Sequence, residues 1–308
     1  MFSKKAVVVF LIFLMLLMVV QSPTLQFYGL SELRATISGN PTDRHAFQPV
    51  HNMTIIEVNK VVDGETRKYL AYDSDQAGSQ IRLYYTNDLD GIWSSYSGNP
   101  ILGISVNNYR WPSVTYVNGV FQMLLTDRTN GYLERWTSID GIHFTFAENV
   151  KSGGSEWKNP FIWFNSNDGK WYLYSHDSSG VTEYIKVRKA TNIESLRTAT
   201  DTIVLSENFP FGAASVMYYD NEYWMLTEIL KDEVWNILAY YSNSPTSNFT
   251  ECANSPILTN NEACPILLLN PTETKAYLFT NKYFGGTWYQ DTREVSLIFG
   301  NNRMCLAH

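Results

Sequence analysis

No stretch of this chain concentrates lysine or arginine: 23 basic residues stand against 30 acidic ones, for a formal net charge of −7. A surface built to hold nucleic acid carries clustered positive charge, so that class of partner is set aside. Histidine and cysteine are as scarce, at five and three residues. No Cys-x-x-Cys pair and no His-x-x-x-His spacing occurs, and scattered histidines make no cage, so no metal site is expected. The chain has no G-x-S-x-G elbow, no phosphate-binding loop and no dinucleotide fingerprint. Nothing signals serine-nucleophile chemistry, nucleotide hydrolysis or hydride transfer, and no cofactor is implied. A long helical period is missing too, which argues against a helical core.

Aromatic residues are what the chain has in quantity. They make up 15% of it, with more Tyr and Trp than a helical core needs, and that composition points to sheet. The N-terminus carries an address: Lys4 and Lys5 precede fifteen uninterrupted apolar residues, Ala6 to Val20, followed by Gln21, Ser22 and Pro23. This is the layout of a signal peptide. As a helix the run reaches only about 22 Å, short of a hydrocarbon core of roughly 30 Å, which favours cleavage. The lack of a small-residue cleavage motif, with Pro23 after Ser22, favours an uncleaved anchor. Residues 1–23 are therefore read as signal peptide or signal anchor and 24–44 as a linker that helps close the fold. The remainder is expected outside the cytoplasm, secreted or cell-surface, touching membrane only through the N-terminal segment. Cys252 and Cys264 bracket a short polar loop. A disulfide there would contribute about 3 kcal/mol; two buried thiols filling small core sites are the other reading.

From residue 45 onward one plan recurs at a spacing of about fifty residues. A short apolar run, often opened by Pro, meets a tight turn; a second aromatic run ends in a polar residue; a third strand follows. One copy reads WPSVTYVNGVFQMLLTDR, turning at Asn118-Gly119, and the next reads NPFIWFNSNDGKWYLYSHD, turning at Asp168-Gly169. The others turn at Asp63-Gly64 and Asp220-Asn221, and the last reads CPILLLNPTETKAYLFTNK. The third strands are read as IRLYYT, YLERWTS, YIKVRKA, ILAYYSN and EVSLIFG, and two copies close alike, on Asn99–Leu102 and Ser255–Leu258. The expected fold is all-β: a five-bladed β-propeller of four-stranded antiparallel blades, at roughly 45–105, 106–152, 153–206, 207–259 and 260–308.

In a propeller the first strand of each blade lines the axis and the second returns beside it, so first-strand starts and second-strand ends share a face. The starts are Gln48, Ser113, Asn159, Ala213 and Cys264. The ends are Asp73, Asp127 with Arg128, His176 with Asp177, Glu228, and Lys282. Taken singly, strand-end polar residues are solvated loop groups; four acids at one structural point make a candidate site. Nearby Tyr109, Trp111 and Trp157 are candidates to stack on the apolar face of a sugar, or to pack between blades.

The Pro-opened first strand, Asn-Gly or Asp-Gly turn and aromatic second strand resemble the five-bladed glycoside hydrolases: family 43, with families 32, 62 and 130, and the propeller fused to some glycosyltransferases. The resemblance covers about residues 45–300 and implies a carbohydrate partner, oligosaccharide or polysaccharide. Family 43 opens its first blade on Asp-Pro (general base), its third on Asp-Pro (orienting acid) and its fourth on Glu-Gly-Pro (general acid). Those positions fall here on Gln48-Pro49, Asn159-Pro160 and Ala213-Ala214-Ser215. Glycoside hydrolysis needs two carboxyl groups, and neither an amide nor a methyl replaces one. The resemblance thus implies a glycan-binding or degenerate hydrolase. Two alternatives keep catalysis: neighbouring acids Asp43, Glu156, Glu207 or Glu262, or a pair drawn from Asp73, Asp127, Asp177 and Glu228, tuned by Arg128 or His176. Trp111, Trp157 and Lys282 complete the expected ligand contacts. A structural surface protein is the third reading.

Overall fold

Short apolar runs separated by residues that accept positive φ fold as meanders, and the chain does so repeatedly. The computed structural model describes residues 50–298 and 305–306, apart from 76–78, 90, 103–107, 153–157, 220, 253–254, 260, 271–274, 285–286 and 296. The first blade comprises β1 (Val50–Val62), β2 (Glu65–Asp75), β3 (Ile81–Thr86) and β4 (Ser94–Ser95). The second comprises β5 (Tyr109–Val117), β6 (Val120–Asp127), β7 (Tyr132–Ser138) and β8 (Thr145–Ser152). In the third are β9 (Lys158–Asn165), β10 (Lys170–Asp177), β11 (Glu183–Ala190) and β12 (Thr202–Glu207). In the fourth are β13 (Phe211–Tyr219), β14 (Glu222–Lys231), β15 (Val234–Ser242) and β16 (Thr250–Glu251). All four are antiparallel sheets in simple chain order. A three-stranded antiparallel sheet follows, β17 (Glu262–Asn270), β18 (Lys275–Phe284) and β19 (Thr287–Val295), and then the short pair β20 (Leu297–Ile298) and β21 (Cys305–Leu306).

The architecture is an all-β propeller. The inner strands pack in sequence, β1 against β5, β5 against β9, β9 against β13, β13 against β17, and β17 against β1. Between them a cavity of about 180 Å³ is lined by residues of all these strands, from Met53 through Pro112, Pro160 and Ala214 to Pro265. Apolar seams fill the gaps between neighbouring sheets. Leu70 and Leu83 meet Phe121 and Met123; Leu124 meets Leu173; Tyr174 and Val187 meet Val216 and Met225; Leu226 meets Leu278. Trp93 of the first blade packs edge-on against Phe279 of β18, with centroids 6.3 Å apart. Polar links cross the seams as well: Thr54 donates its hydroxyl to the carbonyl of Pro112 (2.6 Å), and the Ile162 N–H donates to Ser113 Oγ (2.8 Å).

Two sequence expectations change here. The third strand of the last copy is β19, over 287–295; most of EVSLIFG lies beyond it. Strand pairing rewards alternation along the whole hairpin, and β18 runs on to Phe284, so its partner must start directly after the turn. Cys252 and Cys264 are not bonded to each other in the structure and lie buried in different clusters, Cys252 with Trp224 and Ile257, Cys264 with Ala213 and Ala263. Residues 1–44, Gln48 and Trp157, together with Asp43 and Glu156, lie outside the described residues.

Candidate functional site

One backbone device repeats at the start of the inner strands. In β5, β9, β13 and β17 a bulge inserts one extra residue, so that three residues advance against two on the partner strand. Each bulge holds a non-glycine residue with positive φ: Trp111 (57°), Asn159 (46°), Ala213 (47°) and Cys264 (52°). Left-handed backbone disfavours residues with a Cβ and persists where surrounding structure enforces it. The register corrects one expected position: the second-blade counterpart of Asn159 is Trp111, two residues before Ser113, whose hydroxyl instead bridges to the next blade. In the first blade the same offset falls between Val50 and Met53, past Gln48.

The bulges also sort the second-strand ends. The residue paired just outside each bulge is Thr126, His176, Glu228 or Asn281. Of these four only Glu228 is a carboxylate, and in the first blade the residue paired at that place is Asp75. Asp127 and Asp177 sit one residue further on and share a local task. Asp127 Oδ1 accepts the N–H groups of Thr129 (2.9 Å) and Asn130 (3.2 Å); Asp177 Oδ1 accepts that of Ser179 (2.9 Å), and its other oxygen pairs with Lys186. Both cap the turn that leaves the strand, a use that needs no ligand. Asp73 pairs with Met53, is fully buried, and acts electrostatically on the Cys264 thiol. Lys282 stands opposite Glu262, whose Oε2 accepts the Thr280 hydroxyl at 2.6 Å.

A cavity of about 270 Å³ opens where these ends meet, and it unites Trp111, Asn159, His176 and Glu228 of the expected set. Exposed Arg128 lies at its side, with its guanidinium 5.9 Å from the Trp111 ring centroid. Lys158, Glu183, Phe211 and Trp235 also line the cavity and were not singled out from the sequence. Glu183 opens β11 and Trp235 is the second residue of β15. In an antiparallel meander third strands start where second strands end, so third-strand starts carried a signal that went unread.

Hydrogen bonds fix the polar wall. His176 Nε2 and Glu183 Oε2 are 2.8 Å apart, and the same oxygen accepts the Phe211 N–H at 2.9 Å. Burial works against the Glu183 charge, but these two bonds and the nearby His176 and Lys158 hold its carboxyl below the usual range. Glu228 is the reverse case. Burial pushes its carboxyl up, although the Cys264 N–H donates to its Oε2 at 2.6 Å. Burial, with the charges of Glu228 and Asp73 beside it, pushes the Cys264 thiol well above its ordinary value. His176 Nδ1 is buried without a partner, facing Gly212, where an added Cβ would lie 3.0 Å from it and 2.9 Å from Asn159 Nδ2. Glycine at 212 thus lets the β13 backbone approach two site side chains. Among the described residues no three His, Cys, Asp or Glu side chains converge as metal ligands.

No family model matches this chain, and no curated protein does. Solved structures do. A thermostable family-43 glycoside hydrolase superposes with a TM-score of 0.71 at 12% identity, over 86% of this chain and 95% of that one. An endo-1,4-beta-xylanase from Bacteroides thetaiotaomicron gives 0.64 at 13% identity, over 84% and 94% of the two chains. An endo-arabinase from the same organism gives 0.64 at 12%, over 82% and 96%. At such identities the likeness is one of fold, the propeller of family 43 glycoside hydrolases.

Proposed function

We propose that this chain is an extracellular carbohydrate-binding propeller of five blades, the sheet β17–β19 forming the fifth, whose axial mouth holds a sugar without the hydrolytic triad of its structural neighbours. The observation that carries the reading is the cavity itself. Asn159, an amide where the family 43 resemblance calls for an acid, faces a space of about 270 Å³ between Trp111 and Trp235. Ala213 offers only a methyl group at the equivalent bulge. Aromatic walls with a few convergent polar groups suit a pyranose, which presents both C–H faces and hydroxyls. Gln48 would complete the set of substituted positions.

One observation favours a second reading. Glu228 is pushed up and Glu183 is held down within one cavity, and a pair of carboxyl groups with separated pKa values is the arrangement acid–base chemistry needs. On that reading Glu228 is the proton donor and Glu183 the base. A glycan array combined with reducing-sugar release by the full chain separates the two. Binding without release, weakened about tenfold (about 1.4 kcal/mol) by Trp235→Ala, supports the binding protein. Release that disappears in both Glu228→Gln and Glu183→Gln supports the enzyme. A chain that binds no glycan refutes both.

A further inference from the structure

Four Asn-x-Ser/Thr triplets occur in the chain, beginning at Asn40, Asn52, Asn248 and Asn270. On an exported protein such a triplet accepts an N-linked glycan, provided that its middle residue is not proline. Pro41 and Pro271 exclude the first and the last, which leaves Asn52-Met53-Thr54 and Asn248-Phe249-Thr250. The structure places these two in opposite settings.

Asn52 lies in β1, at the register shift between Val50 and Met53, on a strand packed against β5 and β17 about the axis. The hydroxyl of its triplet is already engaged, since Thr54 donates it to the Pro112 carbonyl at 2.6 Å.

Asn248 stands in the loop between β15 and β16, and β16 is the outermost strand of the fourth blade. Asn248 and Thr250 are exposed, while Phe249 between them is buried in the apolar cluster shared with the third blade. The amide and the hydroxyl therefore reach solvent together, and the ring between them anchors the triplet. The rest of the loop is held as well. The Phe249 N–H donates to the Val204 carbonyl of β12 at 3.1 Å, the Tyr174 hydroxyl donates to the Pro245 carbonyl at 2.8 Å, and the hydroxyls of Ser242 and Ser247 lie 3.0 Å apart. Among the described residues the Asn248 and Thr250 side chains have no hydrogen-bond partner, so a sugar on Asn248 displaces no contact. None of the described residues between 242 and 250 lines the axial cavity, so a glycan there leaves the mouth open.

We propose that Asn248 is an N-glycosylation site and that Asn52 is not. In the transfer, the Asn248 amide nitrogen forms a bond to the anomeric carbon of an oligosaccharide carried on a lipid pyrophosphate. The bond from that carbon to the phosphate oxygen breaks, the lipid pyrophosphate leaves with the electron pair, and the amide gives up a proton. A hydrated branch beside the outermost strand also keeps a second chain from pairing with that edge. The proposal rests on the extracellular reading above and is independent of what the axial mouth binds.

The test is expression of the full chain in a eukaryotic secretory host, with glycopeptide mass mapping and gel mobility before and after peptide:N-glycosidase treatment. A single glycan per chain is expected, at Asn248. It should be lost completely in Asn248→Gln and in Thr250→Ala, and kept in Thr250→Ser, which retains the hydroxyl, and in Asn52→Gln. Thermal unfolding of each secreted variant separates loss of the glycan from loss of the fold. A glycan mapped to Asn52, or one that persists in Asn248→Gln, overturns the proposal. Recovery from the medium, or protease digestion of intact cells, reports export independently. An exported chain with a bare Asn248 overturns the glycan assignment alone; a chain retained in the cytoplasm overturns the extracellular reading and this proposal with it.

Discussion

Glu228 concentrates the residue-scale physics of this protein. Its carboxyl is 6% exposed, held by the Cys264 N–H, and pushed above the ordinary value of 4.5. A carboxyl whose folded value lies above its unfolded one favours the folded state fully below the unfolded value, and loses that contribution as pH rises through the folded value. Thermal unfolding followed between about pH 4 and 8 should therefore show the wild type falling relative to Glu228→Gln as pH rises, since Gln keeps the acceptor without the charge. Parallel profiles would remove the burial argument. Ala213 makes a different residue-scale prediction. Its φ of 47° suits glycine better than any residue with a Cβ. Ala213→Gly should stabilise by about 1 kcal/mol, read from denaturant midpoints at unchanged slope. A loss of stability would mean that its buried methyl contact outweighs the backbone relief.

At the scale of elements, turns and strand ends do separate jobs. The hairpin between β5 and β6 turns on Asn118 (φ 51°) and Gly119 (φ 86°), the paired left-handed geometry that matches strand twist. A Cβ at Gly119 meets nothing within 4 Å, so the cost of Gly119→Ala is backbone strain alone, about 1 kcal/mol. The Asp127 carboxylate should matter to stability and not to binding. Replacing it with Ala strips the acceptors from two N–H groups of the following turn, a loss of about 1–2 kcal/mol, while glycan affinity stays at the wild-type level. Affinity lost with Asp127→Ala at unchanged stability would return this residue to the site. The bulges explain why the sequence suggested otherwise. Counting from strand ends aligns Asp127, Asp177 and Glu228, whereas an extra residue in each inner strand sets Glu228 level with Thr126 and His176.

The whole molecule depends on seams between sheets, since each blade buries only what its neighbour covers. Ser113 shows how specific a seam is: its hydroxyl accepts the Ile162 N–H from the next blade at 2.8 Å, and Ser113→Ala leaves that buried donor unpaired, at a cost of about 1–3 kcal/mol in global unfolding. An unchanged midpoint would show that the seam relaxes. The repeat of apolar runs and Gly-bearing turns was legible from the sequence because strand alternation and positive φ are local properties, written residue by residue; the turns at Asp63-Gly64 and Asn118-Gly119 and the strands at 81–86 and 132–138 lie where the sequence puts them. So do the two alike closures, where Leu102 bridges to Ile81 and Leu258 to Ile237. That Trp111, Asn159, His176 and Glu228 lie at one end of the strands, where they line one cavity, was legible for the same reason, being fixed by strand order. Glu183 and Trp235 enter the cavity through the way sheets twist and stack, and the bulge register moves by one residue with no mark in composition. The sequence by itself determined an all-β repeat and which ends of its strands are polar. Only the tertiary structure decided which of those polar groups share a cavity, because the distance between two blades is set by side chains packed in the seam and by no single stretch of chain.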